Sequence, residues 1–371
     1  MPKVLLITSE FPPFAGGVGN YYFNLAKKLP ESDIAIVTEK LPDSDSADLN
    51  NLKVFKRKLL TPLPIWPRWI FAVIKIARLK IKTRSKALWV GQILPWGTVC
   101  FIYKKLFGWP YFVSLHGTDL LSAQATNLKK FLALKILKNA DFITVNSKFT
   151  QYKLSELGNF SKNSTVIYPA PNIKPTTDYQ PTYNNTKIIL SVSRLVPRKG
   201  LLNLIKAMPG VINKNPEAKL YIIGNGPQNK ELTDKINSLG LTNNIIIENE
   251  ITNDQLRNFY QKCDLFVLTP QSINNEIEGL GIVYQEAELF GKPVIASAEG
   301  GITETVIDGQ TGLIINNPEN TQELSNLINK LLADPGLRKR LGQNAQKFIK
   351  EKFNWQNQAD SLSKLINNFY G

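Results

Sequence analysis

The chain has 371 residues, 43% of them hydrophobic and 20% charged, with a formal net charge of +15 and two cysteines. That length exceeds what one core usually serves and predicts two domains of about 170 to 190 residues. Cys100 and Cys263, far apart in apolar surroundings, exclude a disulfide framework and a cysteine metal site and fit a reducing compartment.

The charge is unevenly divided: residues 1–180 carry 25 Lys and Arg against 11 Asp and Glu, whereas residues 181–371 carry 20 against 19. The first apolar run, Val-Leu-Leu-Ile-Thr, is too short for a signal peptide and predicts a buried strand at 4–8. Gly16-Gly17-Val-Gly19 then opens a helix predicted over 19–28. By itself this is a turn without the spacing of a dinucleotide fingerprint. A strand follows at 34–38.

From Lys53 to Lys86 there are eleven basic residues and no acidic one. Phe55, Trp66, Trp69 and Phe71 are interleaved with them. This composition suits a segment lying in an anionic lipid interface, and tryptophan favours the headgroup level. The candidate membrane contacts are Lys53, Lys56, Arg57, Lys58, Trp66, Arg68, Trp69, Lys75, Arg78, Lys80, Lys82 and Arg84. A solvated basic helix over an ordinary core face and a nucleic-acid patch are the alternatives. The uncharged stretch 87–103 is interrupted by Gly91, Gln92, Pro95 and Gly97, which predicts a strand at 88–90, a loop and a helix start rather than a membrane span.

Further strands are expected at 111–115, 142–145 and 166–168, with a helix at 128–137. The only histidine, His116, follows the strand at 111–115 and precedes Gly117, Thr118 and Asp119. A lone histidine is more often structural, but one at a strand end stands where ligands bind in parallel sheets. Residues 171–186, rich in proline and polar side chains, read as a linker. A second alternating set follows, with strands at 188–193, 220–223, 245–247, 265–268, 293–296 and 313–315. The expected fold class is therefore α/β: two doubly wound Rossmann-like domains, 1–170 and 187–352, facing across a cleft.

After the strand at 188–193 come Arg194, Arg198 and Lys199, then Gly200 and a helix. Arginine offers a planar fork and lysine a point charge to a diphosphate; a solvated basic loop is the bland alternative. Glu278 precedes Gly279 and Gly281, and the apolar run Ile282, Val283, Ala287, Leu289 and Phe290 has helical spacing. The start of such a helix, with free amides and a positive dipole, suits a phosphate. Glu278 and Glu286 could both face that site and accept hydrogen bonds from sugar hydroxyls.

Arg-Leu-Val-Pro-Arg-Lys-Gly, Glu-Gly-Leu-Gly-Ile-Val-Tyr-Gln-Glu and Gly-Gly-Ile-Thr-Glu-Thr-Val together resemble the retaining nucleotide-sugar glycosyltransferases of family four, whose two-domain architecture is called GT-B. Within that family they are most similar to the phosphatidylinositol mannoside mannosyltransferases. The likeness is strong from Ser191 to Gly312, moderate around Phe11–Gly19 and His116, and slight between Lys40 and Trp96. It implies that Arg194 and Lys199 bind the donor diphosphate, Glu278 contacts the sugar, and Glu286 the ribose hydroxyls. The amides around Leu280, Gly281, Ile282 and Val283 would hold phosphate, and Gly16 and Gly17 would close over the reacting centre. His116 would touch the donor sugar, and the backbone at Ile251 would meet the base. The acidic position that often follows His-Gly by one residue is Asp119 here, a departure that leaves its role open.

The resemblance further implies a helix at 353–371 crossing back to the first domain, GDP-mannose as donor with a UDP-sugar for polysaccharide synthesis as the alternative, and a lipid-linked or glycan acceptor. It implies peripheral attachment at the cytoplasmic membrane face, no tightly bound cofactor and no nucleic acid partner. The absence of an Asp-x-Asp-type site in a suitable place agrees with metal independence. Outside enzymes, the rival reading is a non-catalytic polyanion or membrane-binding protein.

Overall fold

The computed structural model describes residues 2–12, 16–40, 49, 52–61, 67–160, 163–176, 179–181, 187–273 and 278–371. The chain divides into two compact units, Met1–Pro169 with Trp355–Gly371, and Ala170–Asn354. Of the candidate residues, Trp66 lies outside the described residues.

The first unit runs β1 (Val4–Thr8), α1 (Gly17–Lys28), β2 (Ile34–Glu39), β3 (Val54–Arg57), α2 (Ile70–Thr83), β4 (Ala87–Val90), α3 (Thr98–Phe107), β5 (Tyr111–Leu115), α4 (Thr118–Ala123), α5 (Asn127–Asn139), β6 (Ile143–Val145), α6 (Lys148–Ser155) and β7 (Ser164–Val166). The second runs β8 (Ile188–Val192), α7 (Leu201–Ile212), β9 (Lys219–Ile223), α8 (Asn229–Ser238), β10 (Ile245–Glu248), α9 (Asn253–Lys262), β11 (Leu265–Leu268), α10 (Ile282–Leu289), β12 (Val294–Ser297), β13 (Gly312–Ile315), α11 (Thr321–Ala333) and α12 (Pro335–Lys352). A last helix, α13 (Trp355–Tyr370), packs with the first unit.

Both sheets are parallel throughout, with strand orders β3-β2-β1-β4-β5-β6-β7 and β10-β9-β8-β11-β12-β13. Two doubly wound parallel α/β domains are therefore present, as the alternation of apolar runs predicts. Nearly continuous apolar strands such as Val-Leu-Leu-Ile suit this arrangement because helices cover both sheet faces. In the first unit, Leu5, Ile7, Leu88, Val90 and Val113 pack under Ile76 and Leu79 of α2, Val99 and Tyr103 of α3, and Ile136 of α5. On the other face Trp89 stacks on Phe112, with Tyr22 of α1 and Tyr370 of α13 against them. Helix α13 is held by polar contacts as well: Tyr168 N–H donates to Gln358 Oε1 at 2.8 Å and Tyr370 O–H to Asp141 Oδ2 at 3.0 Å.

Two elements depart from the expected positions. The last strand of the first sheet occupies Ser164–Val166 rather than 166–168. The basic run contains a strand, β3, that pairs with β2 at the sheet edge. Four residues are too few for alternation to stand out, and Lys56 and Arg57 on an edge strand are the kind of charge that discourages further pairing.

Candidate active site

In the second sheet the strand order reverses between β8 and β11. Connections leave such neighbours in opposite directions, so the loops beyond their carboxyl ends border a crevice. Gln271 N–H donates to the Arg198 carbonyl at 2.9 Å and ties the two loops together. After β8 the chain makes a short 3-10 turn, Pro197–Lys199, closed by Gly200 at φ 71°. A Cβ there would lie 2.1 Å from the Thr269 carbonyl oxygen, so only glycine lets this turn press against the end of β11. That contact sets the position of Lys199.

Lys199 Nζ donates to Glu278 Oε2 at 2.7 Å, and Arg198 Nη1 reaches the same oxygen at 2.5 Å. Lys199 is only 8% exposed. Burial pushes its ammonium below the usual range and Glu278 only partly opposes this, with Arg198 and Arg194 adding to the depression. Burial pushes the Glu278 carboxyl up, yet Lys199 and Arg198 together overcome it and hold Glu278 below the usual carboxylate range. Oε1 of Glu278 has no hydrogen-bond partner among the described residues.

Helix α10 starts beside this cluster. Its N-cap, Gly281, has φ 70°, and no side chain caps it among the described residues. A Cβ at Gly281 would meet the Tyr284 ring at 2.4 Å. The loop before it is held from behind, by Gly301 N–H on the Gly279 carbonyl at 2.8 Å and Thr305 Oγ1 on the Leu280 carbonyl at 3.2 Å. Leu280 is buried, while Gly281, Ile282 and Val283 are half-buried. Two cations and an open helix start so placed are suited to a diphosphate.

Glu286, one turn into α10, is buried and engaged with its own chain. Oε1 accepts from the Asn172 and Ile173 amides at 3.2 and 3.1 Å, and Oε2 from the Tyr260 hydroxyl at 3.0 Å. Burial raises its pKa to about 7, even though these three donors pull the other way. The carboxyl is thus neutral at acid pH and ionised above neutrality, and an ionised carboxylate is the stronger acceptor for a hydroxyl. If Glu286 holds a ribose, affinity for a nucleoside diphosphate rises from about pH 6 to about pH 8, and Glu286→Gln flattens that slope. Calorimetric titrations of GDP and UDP into both proteins across this range check it; equal slopes would remove the ribose role. Ile251 is half-buried against the core of this unit, and Arg194 is exposed.

In the first unit, the Tyr22 hydroxyl lies 2.6 Å from the Gly91 carbonyl and 2.7 Å from His116 Nε2. A hydroxyl has one proton, and the carbonyl can only accept it. His116 Nε2–H therefore donates to Tyr22, and Nδ1 is the acceptor nitrogen. Burial lowers His116 to about 3, so it is neutral across the physiological range. Gly16 is the N-cap of α1, and a Cβ at Gly17 would meet nothing within 4 Å. Loops after β1 and β4, where this sheet reverses, join Ser9 N–H to Gln92 Oε1 at 3.1 Å and Gln92 Nε2 to Thr8 Oγ1 at 3.0 Å. A pocket of about 340 Å³ opens here, lined by Glu10, Gln92, Thr118, Asp119, Ser122 and Lys129 among others.

Of the basic segment, Lys53, Arg57, Lys58, Arg68, Arg78, Lys82 and Arg84 are exposed, whereas Lys56, Trp69, Lys75 and Lys80 are half-buried. Trp69 packs against the core, and Lys80 Nζ sits 4.8 Å above the Trp109 ring. Among the described residues no helix is long and apolar enough to cross a membrane, and no group of three or more His, Cys, Asp or Glu is placed to hold a metal.

Sequence reasoning set Glu278 apart from the cations, as a sugar clamp. The structure places it as their shared counter-ion. Arg198 was one of the three cations the sequence offered to a diphosphate, without a role of its own, and the structure places it on Glu278. Tyr22, Tyr260 and the first-unit pocket were missed, and spacing reveals no signal for them.

Residues 15–173 match the family model described as Glycosyltransferase Family 4, and residues 176–348 the one described as Glycosyl transferases group 1. The chain is 24% identical to the GDP-mannose-dependent alpha-(1-6)-phosphatidylinositol monomannoside mannosyltransferase of Mycolicibacterium smegmatis, over 98% of each chain. It is 26% identical to the GDP-mannose-dependent monoacylated alpha-(1-6)-phosphatidylinositol monomannoside mannosyltransferase of Corynebacterium glutamicum, over 98% of this chain and 97% of that one. Among solved structures it is similar to Anabaena Alr3699/HepE in complex with UDP, with a TM-score of 0.82 and 22% identity, over 99% of this chain and 100% of that one.

Proposed function

The chain belongs to glycosyltransferase family 4, and on that premise we propose that it is a retaining enzyme moving mannose from GDP-mannose to a lipid-linked acceptor at an anionic membrane surface. The observation that carries this reading is the Lys199–Glu278–Arg198 cluster beside the open start of α10. In the reaction the anomeric C–O bond of the donor breaks and the diphosphate departs with added negative charge. Lys199, Arg194 and the first amides of α10 stabilise that charge, each such donor being worth roughly 10²- to 10³-fold in rate. The sugar passes through an oxocarbenium-like state, and Glu278 Oε1 accepts from one of its hydroxyls. The acceptor oxygen forms the new bond on the face the diphosphate leaves, and its proton passes to the departing phosphate. No protein nucleophile is needed. Neutral His116 offers Nδ1 as an acceptor to a sugar hydroxyl.

GDP-mannose is favoured by the names of the two mannosyltransferase relatives. Thermal-shift measurements against a panel of GDP- and UDP-sugars test it, since a ligand at a hundred times its Kd stabilises the folded state by about 2.7 kcal/mol. GDP-mannose is expected to give the largest shift. A shift with UDP-sugars alone would replace the donor, and none with any would remove the transferase reading of this site.

The membrane assignment rests on α2, where Ile70, Phe71, Ile74 and Ile81 are 42%, 48%, 54% and 65% exposed. Arg78, Lys82 and Arg84 are exposed on the same segment. At about 1 kcal/mol per basic residue, neutralising these three together weakens binding to phosphatidylserine-containing vesicles roughly 100-fold. Flotation of the triple variant with such vesicles checks this; unchanged binding would sink the assignment.

A further inference from the structure

His116 is held at its backbone and at its ring by separate parts of the first unit. Its N–H donates to Asp119 Oδ1 at 2.9 Å, and its carbonyl accepts from Asn146 Nδ2 at 3.3 Å. Thr150 Oγ1 donates to Asn146 Oδ1 at 2.7 Å, which fixes the end of that amide turned to His116. At the ring, Tyr21 and Tyr22 stand edge-on to the imidazole, at 81° and 89°, with centroids 4.9 and 5.2 Å away. Packing of this kind restrains the ring against turning.

Tyr22 also decides where the ring carries its proton. It is 0% exposed and packs edge-on against Trp89. Its hydroxyl lies between the Gly91 carbonyl and His116 Nε2. Gly91 is itself pinned: its N–H donates to the Ile7 carbonyl at 2.9 Å, and a Cβ there would lie 2.9 Å from both that oxygen and Thr8 Cβ. A fixed carbonyl that can only accept commits the single hydroxyl proton. Burial raises the Tyr22 pKa well above its usual range, so the proton stays in place. What the hydroxyl has left for His116 is a lone pair, which Nε2 meets only as N–H. The opposite tautomer sets two acceptors against one proton, and an unpaired buried acceptor disfavours it roughly 5- to 150-fold. Nδ1 has no hydrogen-bond partner among the described residues.

We propose that Tyr22 is a positioning residue for transfer: committed to the Gly91 carbonyl, its hydroxyl holds His116 in the Nε2–H tautomer and presents Nδ1 to a hydroxyl of the bound sugar strictly as an acceptor. The lock stands on this geometry alone, whereas its part in transfer rests on the proposed function above. As positive charge develops on the sugar, its hydroxyls become stronger donors, so an acceptor at Nδ1 gains in the transition state and a donor there loses. The effect therefore falls on kcat more than on KM.

Ring-nitrogen NMR of the untagged chain carrying isotope-labelled histidine tests the lock without any variant, because one histidine gives one pair of ring signals. At neutral pH a protonated Nε2 and an unprotonated Nδ1 are expected; a protonated Nδ1 or an imidazolium overturns the lock. Tyr22→Phe keeps the ring against Trp89 and removes the hydroxyl. Nε2–H then faces no acceptor, the proton moves to Nδ1, and kcat falls about tenfold, the scale of one hydrogen bond, while the donor KM changes less than about twofold. Tyr21→Phe is the control: its hydroxyl donates to the Ile167 carbonyl at 3.1 Å, so this variant loses a comparable buried bond yet keeps the tautomer and kcat. An unchanged tautomer in Tyr22→Phe overturns Tyr22 as the lock. Unchanged kcat in Tyr22→Phe, or an equal fall in Tyr21→Phe, overturns the positioning role. Absence of transfer by the unmodified protein from any GDP- or UDP-sugar removes the reading beneath and the positioning role with it, while the NMR signals still decide the lock.

Discussion

Lys199→Ala is expected to lower transfer roughly 10²- to 10³-fold while leaving the melting temperature close to that of the unmodified protein. The rate falls because Lys199 is a preorganised cation in a site where it is 8% exposed; a charge held away from water interacts more strongly with charge developing on a leaving diphosphate. The fold survives because the shared carboxylate keeps its second partner. Arg198 Nη1 remains 2.5 Å from Glu278 Oε2, so no buried charge is orphaned. Steady-state kinetics with circular dichroism melts separate the two effects. Near-normal turnover in a folded Lys199→Ala protein would falsify the assignment of diphosphate stabilisation to this residue.

Glu278→Ala is expected to behave differently, losing transfer and stability together. Here Lys199 and Arg198 both lose the carboxylate they share, and two cations face each other in a largely buried site. Breaking a buried pair by removing one partner costs about 3–5 kcal/mol. An anion can take the vacated position. GDP therefore raises the melting temperature of Glu278→Ala by more than that of the unmodified protein, an outcome that no simple loss of packing produces. A smaller shift in the variant would show that the cations are not available to a diphosphate. The pH dependence follows the same pair. The Glu278 pKa lies below its ordinary value of 4.5 in the folded protein, so its stabilising contribution is present above that value and is lost as pH falls through the folded pKa. Glu278→Gln lacks this acid-side loss.

Much of the architecture was legible in the chain itself. Val-Leu-Leu-Ile, Leu-Phe-Val-Leu and their counterparts are apolar on both faces, which only a helix-covered parallel sheet accommodates, and the strands at 4–8, 111–115 and 265–268 coincide with β1, β5 and β11. The helix start at Gly281 was legible because glycine at positive φ before a helical apolar run is a local matter. Strand β3 was not, because its four residues owe their conformation to pairing with β2 more than to any pattern of their own.

The charges show the division most clearly. The sequence by itself determined which groups are available: three cations after one strand, two carboxylates around a helix start, one histidine before a glycine. Only the tertiary structure decided how they are paired. Lys199 and Glu278 are 79 residues apart, and they meet because β8 and β11 are neighbours at the point where strand order reverses. Glu286 meets the Asn172 and Ile173 amides across 114 and 113 residues. His116 meets Tyr22 across 94. Such contacts depend on which strand lies beside which, an order set by the burial of whole faces. Local spacing carries no record of it.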